Sequence, residues 1–480
     1  MNTIKKPSFI DALIPVAVLV VLLALSVAIY GSDSSYGPNQ IVLLIAAGIA
    51  CLIGLKNGLG WQQLEKAMIH GISLSMGAIF ILLAVGSLIG TWLLSGTVPT
   101  LIYYGLQILN PNWFYVAACI LSAIVAMSIG SSWTTAATVG VALMGIANGI
   151  GADAAIAAGA IISGAYFGDK ISPLSETTNL APAVAGSDLF SHIRHMLWTT
   201  IPSFIVTLIL FTIIGLTEER AGGDVSVENV QNIILSTYDV SLIHLVPLMI
   251  LIAMAVKKLP AFPSIFIGAL IGAIWGAIFQ TDLLTNVSES SLFIDHVTVI
   301  WTAMFDGFSV STGDEVMDSL LSGGGMANML NTTWLIMTAL MFGAVMEKIG
   351  LLAVFVQSIL KAAKSTGSLI TSTIATAFGT NLITADQYMS IVMPGRMYKE
   401  EYERRGLDNV NLSRALEDGG TITSALIPWN TCGAYMAGVL SVSTLDYWQF
   451  AFFNLLNPIL AIAFAYLGIK VLKKGEATAT

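Results

Sequence analysis

Four polar islands interrupt an otherwise apolar chain, and two of them set carboxylates beside a proline. The first is Gly130-Ser131-Ser132-Trp133-Thr134-Thr135. The second runs from Gly164 to Asn179 and holds Asp169, Lys170, Ser172, Pro173, Ser175, Glu176, Thr177, Thr178 and Asn179. The third is Gly379-Thr380-Asn381 with Thr384, Asp386 and Gln387. The fourth runs from Glu417-Asp418-Gly419-Gly420-Thr421 through Thr423, Ser424, Pro428 and Trp429 to Asn430-Thr431. Pro173 and Pro428 each remove a backbone donor and break a helix. In lipid, the carbonyls freed by such a break must be buried in protein or line a cavity. Carboxylates, hydroxyls, amide oxygens and freed carbonyls together form a hard-oxygen environment suited to Na⁺ or Li⁺, as in transporters with discontinuous helices. The bland reading stands beside this one, because Ser and Thr in membrane helices often bond their own backbone.

The elements that position these islands are membrane helices. Of 480 residues, 56% are hydrophobic and only 10% are charged. A soluble domain carries about a quarter charged residues, which excludes a water-soluble enzyme. Cys51, Cys119 and Cys432 lie singly in apolar runs and read as small core residues. The net charge of −9 gives no case for nucleic acid. Apolar windows fall near 12–30, 38–55, 70–95, 113–130, 133–150, 154–168, 197–217, 241–256, 261–280, 332–347, 421–440 and 447–469. Runs 366–379 and 383–394 read as half-helices or a hairpin, and 97–109 and 350–361 as interfacial segments. The fold class expected is all-α and polytopic, with about 12–14 transmembrane segments in two inverted-topology repeats. The first run follows Lys5 and Lys6, lacks an A-x-A-like exit, and reads as an uncleaved helix. The organisation expected is N-terminal helices over 1–60, a first transport repeat over 61–220, linking helices and an acidic extracellular loop over 221–331, and a second repeat over 332–480.

With the N-terminus inside, 18 of the 20 basic residues fall on the cytoplasmic face, as the positive-inside rule requires. Arg220 falls outside and Lys170 sits within a membrane motif. Arg414 is counted with the cytoplasmic set, and His192 and His195 are placed in a solvated cytoplasmic loop around Arg194. The stretch 395–415, strongly mixed in charge, reads as the longest cytoplasmic loop. Leu259 to Glu347 contains no Lys or Arg, and its acids read as a solvated cap or as an electrostatic funnel for cations.

The islands form two pairs, each a Ser/Thr/Asn hairpin followed by a Pro-broken carboxylate segment. Residue matches at Gly130/Gly379, Thr135/Thr384 and Ala136/Ala385 align the two hairpins, with Asp386 at the place of Ala137. The first hairpin starts outside and the second inside, the sign of an inverted repeat.

The run GAYFGDKISPLSETTNLAPA (164–183) resembles the signature of NhaC-type Na⁺/H⁺ antiporters. GSSWTT, ADQYMSIVMPGRMY (385–398) and EDGGTITSALIPWNTCGAYMAGV (417–439) resemble that family at corresponding places. The resemblance covers nearly the whole chain apart from the acidic loop. It departs at Ser131–Thr135, where relatives are expected to be richer in glycine. It implies a secondary antiporter of the bacterial inner membrane, and the charge count above puts both termini on the cytoplasmic side. The same family includes exchangers that couple malate and lactate to Na⁺ and H⁺.

The mechanism expected is competition between Na⁺ and H⁺ for buried carboxylates, because desolvation disfavours the ionised form until a cation replaces the proton. Asp169, at the end of an apolar helix, is the first choice for seating Na⁺, and Glu176 the second. Ser172, Thr177, Thr178 and Asn179 offer neutral oxygens. Asp386, Thr421, Ser424, Asn430 and Thr431 complete the site from the other half. Ser131, Ser132, Thr134, Thr135, Asn381 and Thr384 form the hairpins. Lys170 either pairs with a carboxylate or snorkels, and Glu417 and Asp418 either act or cap a helix at the interface. Trp133 and Trp429 read as packing anchors. Gly268, Gly272 and Gly276 mark close helix packing, in a homodimer face or inside the chain. The transported ions are Na⁺, Li⁺ and H⁺, with no cofactor. An organic-anion antiporter is the alternative, and it needs Lys170 or a helix N-terminus for the substrate carboxylate. An intramembrane enzyme is not expected, since no G-x-S-x-G or H-E-x-x-H motif occurs.

Overall fold

The computed structural model describes residues 5–108, 110–218, 227–257 and 259–474. Arg220 and Lys258, placed above by charge alone, lie outside the described residues. Among those described, regular structure is helical, and the only strand-like pairings are two isolated bridges, Phe308 with Gly323 and Leu407 with Lys473. The chain is an all-α membrane protein. Among the described residues, seven helices are long and apolar enough to cross a bilayer, or nine if two sharply bent pairs each count as one span. The remaining apolar windows resolve into shorter or interrupted helices, because the polar islands cut them.

The first half contains α1 (Phe9–Tyr30), α2 (Pro38–Lys56), α3 (Trp61–Leu74), α4 (Met76–Leu94), α5 (Thr97–Ile108), α6 (Phe114–Ile129), α7 (Ser132–Thr135), α8 (Val141–Gly149), α9 (Ala154–Ile171), α10 (Glu176–Ala185) and α11 (Leu189–Thr217). The middle contains α12 (Val227–Thr237), α13 (Val246–Val256), α14 (Ala261–Phe279), α15 (Thr281–Ser288), α16 (Phe293–Phe305) and α17 (Glu315–Leu320). The second half contains α18 (Leu330–Ile349), α19 (Leu351–Ala362), α20 (Thr366–Thr384), α21 (Gln387–Arg404), α22 (Asn409–Leu416), α23 (Thr431–Leu440), α24 (Thr444–Tyr447) and α25 (Phe452–Leu467).

These boundaries recur at a separation of 255 residues. Gly130 and Ala385 both adopt left-handed backbone after α6 and α20, and Gly186 and Ser441 do so after α10 and α23 (385 less 130; 441 less 186). Pro173 and Pro428 interrupt the chain at the same separation, each two residues before an N-cap, Ser175 and Asn430. Shifted by that amount, α10 falls on α23, the stretch from α7 to α8 falls on α21, and α18 falls within a residue of α4. The residue matches read from sequence are therefore displaced: Gly379 lies inside α20, and the partner of Gly130 is Ala385. Runs 366–379 and 383–394 are correspondingly longer than half-helices, forming two helices that meet at Ala385–Asp386.

Close helix contacts fix the breaks in place. A Cβ at Gly164 would lie 2.0 Å from the Cys119 carbonyl oxygen, and one at Gly168 would lie 2.2 Å from that of Ala123, so α9 rests on α6 backbone to backbone. Gly168→Leu is expected to lower the thermal midpoint of detergent-solubilised protein by several degrees, because overpacking a tight contact costs about 1–3 kcal/mol or more. An unshifted melting curve would contradict that contact. Gly268, Gly272 and Gly276 face Leu88, Trp92 and Leu94 of α4, so that series is an internal contact rather than a free dimer face.

Three placements read from charge are corrected. Residues 395–415 are mostly helical, ending α21 and forming α22. There Arg404 and Arg405 clasp Glu401 at 2.7 and 2.6 Å, and Arg404 above all holds that carboxyl down at about 2. Arg405 also donates to the carbonyls of Ala363 and Ser365, tying the α19–α20 connection to this end of α21. Arg414 is buried. His192 and His195 are buried in α11 instead of lying in a solvated loop, and neither ring nitrogen of His192 has a partner.

Candidate functional site

The first break is built by the sequence around Pro173. α9 ends at Ile171, and Ser172 turns extended, its hydroxyl donating to the Met127 carbonyl at 2.8 Å. Ser175 caps α10, Thr178 donates to the Lys170 carbonyl at 3.0 Å, and the Asn179 amide donates to the carbonyls of Pro173 and Ser175. These groups satisfy the backbone that the proline frees. The neighbouring hairpin turns at Gly130, where a Cβ would lie 2.6 Å from Leu174, so only glycine lets the two breaks touch. Ser131 caps α7, and Thr135 donates to the Ser131 carbonyl at 2.9 Å. Asp169 sits at the meeting point. Its Oδ2 accepts from the Ser132 hydroxyl at 2.7 Å and the Ser132 amide at 3.1 Å.

The second half repeats this arrangement with different side chains. Asp386 caps α21, accepting from the Met389 amide at 2.7 Å. The Thr431 amide donates to the Ala385 carbonyl at 2.9 Å, joining the hairpin to the Pro428 break. Asn381 donates to the Gly420 carbonyl and to Thr423, and Asn430 donates to Asn381. Thr384 and Ser424 bond backbone carbonyls within their own segments. Trp429 donates to the Leu382 carbonyl at 2.8 Å, and Trp133 stacks on Tyr435 with ring centroids 4.1 Å apart, so both tryptophans pack.

The two halves, together with α13 and α14 of the middle section, line a cavity of about 670 Å³. Three carboxylates line it: Asp169, Glu176 and Asp386. Of the other residues marked out in the sequence, Ser131, Ser132, Thr134, Thr177 and Thr431 also reach its wall. Ser172, Thr178, Asn179, Thr135, Asn381, Thr384, Thr421, Ser424 and Asn430 do not, and the bonds above show most of them holding the breaks together. No lysine, arginine or histidine is among the described lining residues. Tyr388 donates its hydroxyl to Glu176, linking the second hairpin to the first break. The repeat register explains the pairing: Ser131 and Asp386, Ser132 and Gln387, Trp133 and Tyr388, and Glu176 and Thr431 stand 255 apart, and all line the cavity.

Lys170 points away from this cavity. Its ammonium lies 2.5 Å from Asp418 Oδ1, and both side chains are fully buried. Asp418 also accepts from Asn457 at 2.7 Å and from Thr199 at 3.4 Å, and the Arg414 guanidinium stands 4.0 Å away. Lys170 therefore pairs and does not snorkel, and neither Asp418 nor Glu417 lies at an interface: both are fully buried within the wide helical turn Glu417–Thr421. The sequence reading left both acids open between acting and capping a helix at the interface. The available signal was Lys170 itself, a cation at membrane depth that requires one buried acid.

The chain matches the Na⁺/H⁺ antiporter family over residues 164–469. It is 41% identical over 438 residues to the Na(+)/H(+) antiporter NhaC of Alkalihalophilus pseudofirmus, covering 91% of each chain. It is 38% identical to the malate-2H(+)/Na(+)-lactate antiporter of Bacillus subtilis, over 98% of this chain and 96% of that one. It is 36% identical to the arginine/ornithine antiporter ArcD of Halobacterium salinarum, over 98% and 94% of the two chains.

Proposed function

Because this chain belongs to the Na⁺/H⁺ antiporter family, we propose that it is a secondary transporter of the bacterial inner membrane that exports Na⁺, and Li⁺ in its place, in exchange for H⁺. The observation that carries this reading is the cavity lined by Asp169, Glu176 and Asp386, with no basic side chain among its described lining residues. Such a wall attracts a cation and repels an organic anion. The alternative substrate, a dicarboxylate or hydroxy acid, would need a positive anchor, and Lys170 is committed to Asp418.

The cation sits against Asp169, whose orientation Ser132 fixes. Glu176 and Asp386 add charge, and Thr177 and Thr431 add hydroxyl oxygens. A proton competes for Asp169, since burial makes an uncompensated carboxylate costly. Exchange follows when only the loaded forms reorient. The equal spacing of the breaks supports two inverted repeats, 61–220 and 332–480, with the site at their junction, the placement usual for such transporters. The cavity wall includes Leu74–Ser75, at the end of the helix that carries Lys66, and Leu259–Ala261, two residues beyond Lys257. Those lysines mark the cytoplasmic face, so this conformation opens inward, with both termini on the same side.

Proteoliposomes holding a pH gradient test the substrate. Na⁺ and Li⁺, added separately, are expected to collapse the gradient, whereas malate and lactate without Na⁺ leave it standing. Collapse by malate with no response to Na⁺ would overturn the reading.

A further inference from the structure

Each carboxylate on the cavity wall is held by a donor, and the donors differ in origin. Asp169 is held by Ser132 of its own half, and Asp386 by the Met389 amide of its own helix. Glu176 is held from the other half, by the Tyr388 hydroxyl. Among the described residues, that hydroxyl is the only hydrogen-bond donor to the Glu176 carboxylate. Glu176 is the first residue of α10 and is exposed to the cavity, so its long side chain has many orientations open to it without that bond. Tyr388 starts from a firmer base. It is the second residue of α21, between two anchored neighbours: Gln387 donates to the Thr421 carbonyl at 3.2 Å, and Met389 donates its amide to Asp386 at 2.7 Å.

The repeat supplies a second, independent observation. Tyr388 and Trp133 stand 255 apart (388 less 133), at the same place in the two hairpins, and α10 corresponds to α23. Trp133 stacks on Tyr435 of α23, and the Tyr435 hydroxyl donates to the Trp133 carbonyl at 3.1 Å. Each hairpin therefore sends its aromatic residue across to the Pro-broken helix of the other half. Only the second hairpin brings a hydroxyl on that ring, and only the helix it meets begins with a carboxylate, since the counterpart of Glu176 is Thr431. A tyrosine keeps the packing face of the ring and adds a polar tip where the partner can accept a hydrogen bond. We propose that Tyr388 is a positioning residue of the exchange: its hydroxyl fixes the Glu176 carboxylate on the cavity wall, where that carboxylate adds its charge to the cation seated against Asp169. A side chain already oriented loses less freedom when the ion arrives, so affinity keeps what ordering would otherwise cost. Tyr388 acts through Glu176 and not on the ion itself.

The inference rests on the cation reading of the cavity, and the test keeps the two apart. Purified full-length protein is titrated with NaCl by calorimetry, with choline chloride as control, and the Na⁺ dependence of exchange is measured in proteoliposomes. Tyr388→Phe removes one hydroxyl and keeps the ring, so its melting temperature should stay near that of wild type. Its Na⁺ affinity is expected to fall about tenfold, the scale of ordering one long side chain. The Na⁺ concentration for half-maximal exchange should rise by the same factor, with the maximal rate unchanged. In a Glu176→Gln background, Tyr388→Phe should add no further loss, because the charge it places is already gone. Wild-type affinity in Tyr388→Phe, a lowered maximal rate with unchanged Na⁺ dependence, or losses that add in the double variant would each overturn the assignment and leave the cation reading standing. Absence of Na⁺ binding by the wild-type protein would instead remove the cation reading, and this inference with it.

Discussion

Asp169→Asn is expected to reduce Na⁺-driven proton movement in proteoliposomes at least about a hundredfold, equivalent to about 3 kcal/mol of lost stabilisation. The substitution is nearly isosteric, and a rotated amide still presents its oxygen to the Ser132 hydroxyl and amide that hold the carboxylate now. Folding is therefore expected to survive, with a melting temperature equal to wild type or higher, since a buried charge has been removed. What disappears is the negative charge that both the cation and the proton require. Near-normal rates in a well-folded Asp169→Asn protein would move the cation site elsewhere, with Glu176 the next residue to replace.

The second large effect is expected at the buried ion pair. Lys170→Met leaves Asp418 with Asn457, Thr199 and the more distant Arg414, and Asp418→Asn leaves the Lys170 ammonium without a counter-charge. Each single change is expected to cost about 3–5 kcal/mol, the usual penalty for orphaning a buried charge. Changing both should recover most of that loss, so the double-mutant cycle should show strong coupling. Additive losses would mean that the 2.5 Å contact is not the dominant interaction of either group. Lys170→Gln separates the two substrate classes. Cation exchange per folded molecule should persist, whereas a selective loss of malate or lactate flux would favour the organic-anion reading.

The polar islands were legible because membrane chains rarely place Ser, Thr, Asn and carboxylates beside proline without burying them in protein. That logic located both breaks and the two hairpins, and it singled out Asp169, which lies buried on the cavity wall. Residue matching could not find the repeat register. Matched positions have diverged chemically, as Ser131 to Asp386 and Glu176 to Thr431 show, while backbone geometry at Gly130/Ala385 and Gly186/Ser441 has been retained. Thr178, Asn179 and Asn430 were expected to face the ion. Which way a hydroxyl or amide points depends on the carbonyls that the break frees, and sequence does not give those directions. Asp418 and Glu417 escaped because their position beside two glycines resembled a helix end, whereas the chain continues through a wide turn that keeps both inside. His192 and His195 escaped because proximity to Arg194 was taken as a sign of solvent, although a helix places residues one and two positions apart on different faces.

The most direct test of the central claim is Na⁺ affinity of the purified protein, measured by calorimetry from mildly acidic to alkaline pH. If cation and proton exclude one another at buried carboxylates, affinity should rise with pH by about tenfold per unit for each proton displaced, and should level off once those protons are gone. Asp169→Asn should show no Na⁺ binding across the series. An affinity that stays constant with pH in the wild-type protein would contradict the account.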